Sequence, residues 1–101
     1  MRLLSLLGLV LLLGACREKV TRAECARMLG HYVEMNAAQD PSLAGLTPEQ
    51  ASDVRAEIVA EKRAGPDFAR AEEQCMREVT RSELECALKA PSPNDWEACV
   101  E

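Results

Sequence analysis

Four cysteines constrain this chain more than any other feature of its sequence. They stand at positions 25, 75, 86 and 99, and a fifth, Cys16, lies apart near the start. An even number of cysteines in a short exported chain indicates a disulfide framework, and four cysteines allow three pairings. Whether the chain is exported therefore decides how Cys25, Cys75, Cys86 and Cys99 are used.

The start of the chain has the three parts of a secretory signal. Arg2 gives it a basic end, Leu3–Leu13 is an apolar run, and two small residues precede Cys16. The 11 residues of the run span about 16 Å as a helix. A bilayer core needs roughly 20 residues, so we expect a cleaved signal rather than a permanent transmembrane helix.

The last residues of this segment, Leu13-Gly14-Ala15-Cys16, resemble the lipobox of bacterial lipoproteins. That motif has an aliphatic residue and two small residues before the cysteine, although Gly14 stands where Ser, Ala or Thr is more common. The resemblance covers only the first 16 residues. It implies that Cys16 is lipidated and becomes the N-terminus, where two or three acyl chains form a stable membrane anchor. An ordinary cleaved signal followed by an unmodified cysteine is the alternative.

The resemblance also implies a domain organisation and a location. Residues 1–15 form the signal peptide, residues 16–20 the lipidated cysteine and a short tether, and residues 21–101 the folded domain. The four residues from Arg17 to Val20 reach about 14 Å at most, so the domain is expected to lie close to its membrane. Arg17 stands where lipoproteins kept at the inner membrane often carry Asp. We therefore expect a lipid anchor in the bacterial envelope, at the periplasmic face of the outer membrane.

The rest of the sequence shows helix starts and helical periodicity, and no convincing strand. Capping residues or a Gly-Pro pair mark five starts, which are Thr21–Glu24, Thr47–Gln50, Gly65-Pro66, Thr80–Glu83 and Ser92–Asp95. Apolar residues then recur at spacings of three and four. The sequence therefore predicts an all-α fold, a small bundle of four to five short helices cross-linked by two disulfides.

Periodicity and turn residues also predict element bounds and buried faces. The first helix is expected from Thr21 to about Asn36, followed by a loop over residues 37–46 that contains Asp40-Pro41. The buried stripe of the second helix is expected to comprise Ala51, Val54 and Ile58.

Helical geometry leaves two disulfide arrangements open. One joins Cys25 to Cys75 and Cys86 to Cys99, and the other joins Cys75 to Cys86 and Cys25 to Cys99. In the first arrangement, Cys86 and Cys99 lie at similar distances on either side of the turn at residues 91–93. In the second, Cys75 and Cys86 lie almost as evenly on either side of the turn at residues 79–82. We favour the first arrangement, because the first and third helices then join through matching apolar faces.

Two helix starts share a sequence echo, Val20-Thr-Arg-Ala-Glu-Cys25 and Val79-Thr-Arg-Ser-Glu-Leu-Glu-Cys86. A duplicated unit would explain the echo, and so would the repeated use of one capping chemistry. The second copy has two extra residues, which favours repeated capping.

Charge and side-chain chemistry argue against several function classes. Acidic residues outnumber basic ones by 17 to 12, and nothing in the sequence clusters lysine or arginine on one face, so nucleic acid and anionic lipid surfaces are poor candidate partners. His31, the only histidine, is expected to be solvated, and the pairs Glu72-Glu73 and Glu83/Glu85 are expected on solvated helix faces. No catalytic residue, metal site or cofactor is predicted.

These observations predict a membrane-anchored, non-enzymatic envelope lipoprotein that binds a membrane-proximal protein or supports an envelope assembly. The alternative is a periplasmic thiol-redox or metal-binding protein that uses Cys25, Cys75, Cys86 and Cys99. The sequence has neither a zinc knuckle nor the Cys-x-x-Cys redox motif, which favours the first interpretation. The mature part also resembles small bacterial lipoproteins with cysteine-containing helical domains, a likeness that supplies no activity.

Overall fold

The fold is entirely helical over residues 19–101, the range that this computed structural model describes. Within that range the chain forms five α-helices, which are α1 (Arg22–Ala38), α2 (Pro48–Ala64), α3 (Pro66–Glu78), α4 (Arg81–Lys89) and α5 (Pro93–Cys99). A short 3-10 helix, Pro41–Leu43, lies between α1 and α2. The predicted all-α fold is therefore confirmed. The predicted signal peptide and the lipidation at Cys16 lie outside the described residues.

Side-chain capping determines where most of these helices begin. Thr21, Thr47 and Thr80 each complete a capping box, in which the threonine hydroxyl accepts from a backbone N–H at 3.2 Å. Ser92 caps α5 in the same way, with its hydroxyl accepting from the backbone N–H of Asp95 at 3.1 Å. Each such cap stabilises a helix by about 1 kcal/mol. The four side-chain caps expected from the sequence are thus all present.

The junction between α2 and α3 uses a different device. Gly65 ends α2 and precedes α3, with extended backbone angles and no side-chain cap. The proline at position 66 explains this geometry, because a residue before proline is disfavoured in the helical region. Arg63, in the last turn of α2, places its guanidinium 5.6 Å from the centre of the Phe68 ring in α3. This cation–π contact ties the two helices together across the junction.

The end of α1 and the loop after it differ from the prediction. The helix continues two residues past Asn36 to Ala38, and Ala37, expected in the loop, is buried. The expected loop also holds the 3-10 helix, which Asp40 caps by accepting from the backbone N–H of Ser42 at 2.9 Å. The apolar packing of Ala37 outweighs the local turn signals that ended the predicted helix early.

Helix α1 is the centre of the bundle and packs against each of the other four helices. The core draws on every helix except α2, and its buried members in the helices are Cys25, Met28, Cys75, Leu84, Ala87 and Trp96. Helix α2 packs on α1 and α3 and buries no residue fully. The expected stripe of Ala51, Val54 and Ile58 does lie on the less exposed face of α2, but all three residues are only half-buried, so the expectation that the stripe is buried is wrong.

Two disulfides cross-link the described chain, in the favoured arrangement. The core disulfide, Cys25–Cys75, joins α1 to α3 with a Cα–Cα distance of 5.9 Å, and both cysteines are buried. The hairpin disulfide, Cys86–Cys99, joins α4 to α5 at 5.6 Å, and Cys86 is exposed. Helices α1 and α3 pack through their apolar faces, as the favoured pairing of Cys25 with Cys75 requires.

Candidate functional site

The two echoing helix starts meet in space through one ion pair. Arg81, the first residue of α4, donates from Nη1 to Glu24 Oε2 at 2.7 Å and from Nη2 to Glu24 Oε1 at 3.0 Å. Glu24 also accepts from the backbone N–H of Thr21 at 3.1 Å, which is its capping role. One carboxylate therefore caps α1 and holds the start of α4 beside it.

The same contacts change the acidity of Glu24. The Arg81 guanidinium, followed by the backbone N–H of Thr21, lowers the pKa of Glu24 from 4.5 to about 2. Hydrogen bonds to the charged carboxylate favour ionisation, as does the nearby cation. Glu24 thus stays ionised as a fixed partner of Arg81 at every ordinary pH.

A basic recess lies next to this ion pair, at the edge where the described chain begins. It has a volume of about 390 Å³ and is lined by Lys19, Val20, Met76, Arg77, Val79, Thr80 and Arg81. Arg81 Nη2 also lies 3.4 Å from the carbonyl oxygen of Lys19, to which it donates. The recess therefore gathers three cationic residues, and no acidic residue of the described chain lines it.

The basic recess corrects the expectation that lysine and arginine do not cluster on one face. That expectation came from single helices, whereas these cations come from three segments: the start of the chain before α1, the last turn of α3 and the first turn of α4. Sequence reasoning missed them because Lys19 meets Arg77 and Arg81 only when α3 and α4 pack on α1. The echo of the two helix starts was the one available signal.

A second feature is the aromatic pair that docks α5 on α1. The rings of Tyr32 and Trp96 have centroids 4.4 Å apart and are tilted by 32°. Trp96 Nε1 donates to the carbonyl oxygen of Met28 at 3.0 Å, and Tyr32 donates its hydroxyl hydrogen to Glu97. That bond to the Glu97 carboxylate raises the pKa of Tyr32. The polar group of each ring therefore has a hydrogen-bond partner, as the O–H of tyrosine and the N–H of tryptophan usually do when these residues pack in a core.

An apolar groove of about 280 Å³ runs beside Trp96. Met28, Leu29, Val79, Trp96 and Val100 are among its lining residues, and Glu78 and Glu83 also line it. Glu78 is held by Gln74, whose Nε2 donates to it at 3.0 Å. Pockets for drug-sized ligands have roughly 300–1,000 Å³ and enclose most of the ligand. This groove falls below that range and is open at the surface.

His31 occupies a structural rather than a solvated position, which corrects the sequence-based expectation. Its ring is half-buried, and Nε2 donates to the carbonyl oxygen of Ala90 at 2.8 Å. A carbonyl oxygen only accepts, so Nε2 carries the proton in this contact. The bond satisfies a free carbonyl at the end of α4 and ties that end to α1.

The acidic pairs named from the sequence lie mainly on the surface. Glu73 and Glu85 are exposed, while Glu72 and Glu83 are half-buried. Glu83 accepts from the backbone N–H of Thr80 at 2.9 Å and so completes the cap of α4. Among residues 19–101, no group of three or more histidine, cysteine or acidic side chains is placed to hold a metal ion.

Comparison of the chain with protein-family models, with curated proteins and with solved structures finds no match in any of the three. Over the described range, no helix has the length and apolar character needed to cross a membrane.

Proposed function

We propose that this chain is a lipid-anchored lipoprotein of the bacterial envelope with a non-enzymatic role, binding a membrane-proximal protein or supporting an envelope assembly. The observation that carries the proposal is the pairing of all four cysteines between residues 19 and 101 into two disulfides. Disulfides form and persist in oxidising compartments outside the cytoplasm. This agrees with an export signal before Cys16 and an anchor on that cysteine.

The start of the fold limits the distance between anchor and domain. Val20 is already part of the core, with 5% of its surface exposed. Four residue steps separate it from Cys16, and these span about 14 Å at most. A lipid on Cys16 therefore holds the packed domain against the membrane surface, and a protein partner has to be reached from that position.

The perturbed acid–base groups support a structural role. Shifted pKa values are a common sign of catalytic groups. Here the pKa of Glu24 is lowered by its ion pair with Arg81 and by its cap of α1, the pKa of Asp40 is lowered by its cap of the 3-10 helix, and the pKa of Tyr32 is raised by Glu97. Each shift arises from a contact that caps the start of a helix or joins two helices. A structural cause is therefore sufficient for all three.

The anchor is tested by the intact mass of the protein purified from a bacterial envelope fraction. The expected mass is that of a chain starting at Cys16 with two or three acyl chains added. A Cys16→Ser variant is the matched control, and it should carry no acyl mass. Unacylated wild-type protein would contradict the anchor.

The role of the cysteines is tested on the same sample by alkylation before reduction. The proposal expects no alkylation of the native protein at the four disulfide cysteines. Reactive thiols would favour the thiol-redox or metal-binding alternative. The membrane-proximal partner is tested by crosslinking in cells, comparing wild type with a variant whose tether is lengthened by Gly/Ser residues after Arg17. Unchanged crosslinks and function in the longer variant would contradict the proximity argument.

A further inference from the structure

The basic recess lies where the tether joins the domain. Lys19 lines the recess, and its backbone carbonyl accepts from Arg81, which also lines it. Lys19 is three residues after Cys16, a distance of about 11 Å at full extension. If Cys16 carries the lipid, as proposed above, the recess cannot move far from the membrane surface.

The recess has a charge opposite to that of the domain as a whole. Over residues 19–101 the chain has 16 acidic and 10 basic residues. In the recess, Arg81 is paired with Glu24, but Lys19 and Arg77 are exposed and form no salt bridge within the described chain. Val20, Met76 and Val79 add apolar surface between these cations. The edge of the domain at Lys19 is thus locally basic on an acidic domain.

We propose that the basic recess binds the phosphate groups of anionic lipids in the membrane that carries the anchor. This proposal rests on the lipid-anchored function. Lysine and arginine form charge-assisted hydrogen bonds with phosphate oxygens. The attraction of an anionic surface fades over a Debye length of about 8 Å at physiological salt, which is comparable with the reach of the tether. The recess therefore lies within the range where the surface charge acts.

The remaining charges make this contact directional. An anionic surface repels the acidic residues on the rest of the domain and attracts only the recess edge. The anchor supplies most of the affinity, because a second contact made by a tethered group acts at high effective concentration. Two exposed cations are then enough to turn the recess edge toward the lipid. An acidic protein segment would meet the same charges, but the short tether places this edge against the membrane.

The test uses the chain from residue 16 with Cys16→Ser, which keeps every described helix and both disulfides but has no lipid. Because two cations without the anchor bind weakly, partition is measured by sedimentation at low salt and tens of millimolar lipid, with vesicles of phosphatidylcholine, alone or mixed with phosphatidylglycerol. The recess variant K19Q/R77Q is compared with the control R55Q/K89Q, which removes two exposed cations elsewhere. Each cation near an anionic surface contributes about fivefold, so the recess variant should lose about 30-fold in partition to anionic vesicles. Far-UV circular dichroism checks that both variants remain helical.

The proposal expects binding to anionic vesicles only, lost in the recess variant, retained in the control variant and weakened by salt. The proposal is overturned if partition does not depend on phosphatidylglycerol, or if the recess variant and the control variant lose partition equally. It is also overturned if a poly-glutamate peptide binds through Lys19 and Arg77 while vesicles do not, which would indicate an acidic protein partner. If protein from the envelope carries no acyl mass, the proposed anchor is wrong. Binding by the recess can still be measured in this unlipidated chain. The two failures can therefore be told apart.

Discussion

Removing the core disulfide should cost far more stability than removing the hairpin disulfide. The core disulfide closes a sequence separation of 50 and the hairpin disulfide one of 13. In the chain-entropy model these loops contribute about 4 and about 3 kcal/mol. Cys25 and Cys75 are also buried, at 0% and 4% exposure, so C25A/C75A leaves two small cavities. Each lost sulfur adds about 1 kcal/mol, which brings the total to about 6 kcal/mol.

The two double variants serve as controls for each other. A domain of the 83 described residues has a stability of about 4–12 kcal/mol. The variant C86A/C99A, at about 3 kcal/mol, should therefore remain folded, with its Tm lowered by roughly 12–24 °C. The variant C25A/C75A, at about 6 kcal/mol, should lose roughly 24–48 °C in Tm and melt well below C86A/C99A. Thermal melts followed by circular dichroism measure both, and equal losses, or a larger loss in C86A/C99A, would refute the assignment of the core cross-link.

Three further predictions concern single contacts. Because the folded pKa of Glu24, about 2, lies below its unfolded value, its contribution to stability is present above about pH 4.5 and is lost as the pH falls toward 2. The urea midpoint of Glu24→Gln should therefore change less over that range than the wild-type midpoint, and an equal change would contradict the role of the ion pair. Trp96→Phe removes the bond to the Met28 carbonyl and should cost about 1 kcal/mol in urea unfolding, against 3–5 kcal/mol for Trp96→Ala. Under limiting reductant, the hairpin disulfide should open before the core disulfide, since only the hairpin disulfide has an exposed cysteine. Alkylation followed by peptide mass spectrometry measures the order of opening. The reverse order would contradict the burial of the core disulfide.

Helix starts were predictable because their chemistry is local. A capping box needs only a residue and its partner three positions later, so Thr21, Thr47 and Thr80 could be identified without knowing the tertiary structure. The same helices left two disulfide arrangements open, and matching apolar faces only favoured the one that the structure shows. Local pattern and global fold agree at these positions, as expected of a sequence that specifies one structure.

Contacts between distant segments were not predictable in the same way. The burial of α2 depends on how many neighbours cover it, and periodicity gives the direction of an apolar face but not the depth of its packing. The bond of His31 to Ala90 and the basic recess both depend on where α4 docks, which no single helix encodes. The recess joins positions 19, 77 and 81, so no short window of sequence contains it.

The proposed anchor and the core are connected by a short path through α1. Cys25 lies nine positions after Cys16, and it is covalently joined to Cys75 in α3. Between them, Glu24 holds α4 through Arg81, and α1 packs against all four other helices. A force applied at the lipid would therefore enter the most contacted helix at its capped end and pass directly into the core disulfide. A domain anchored through a peripheral helix such as α2, which buries no residue, would transmit the same force to its weakest packing. The position of the proposed anchor before α1 would thus suit a domain that has to stay folded while held at a membrane.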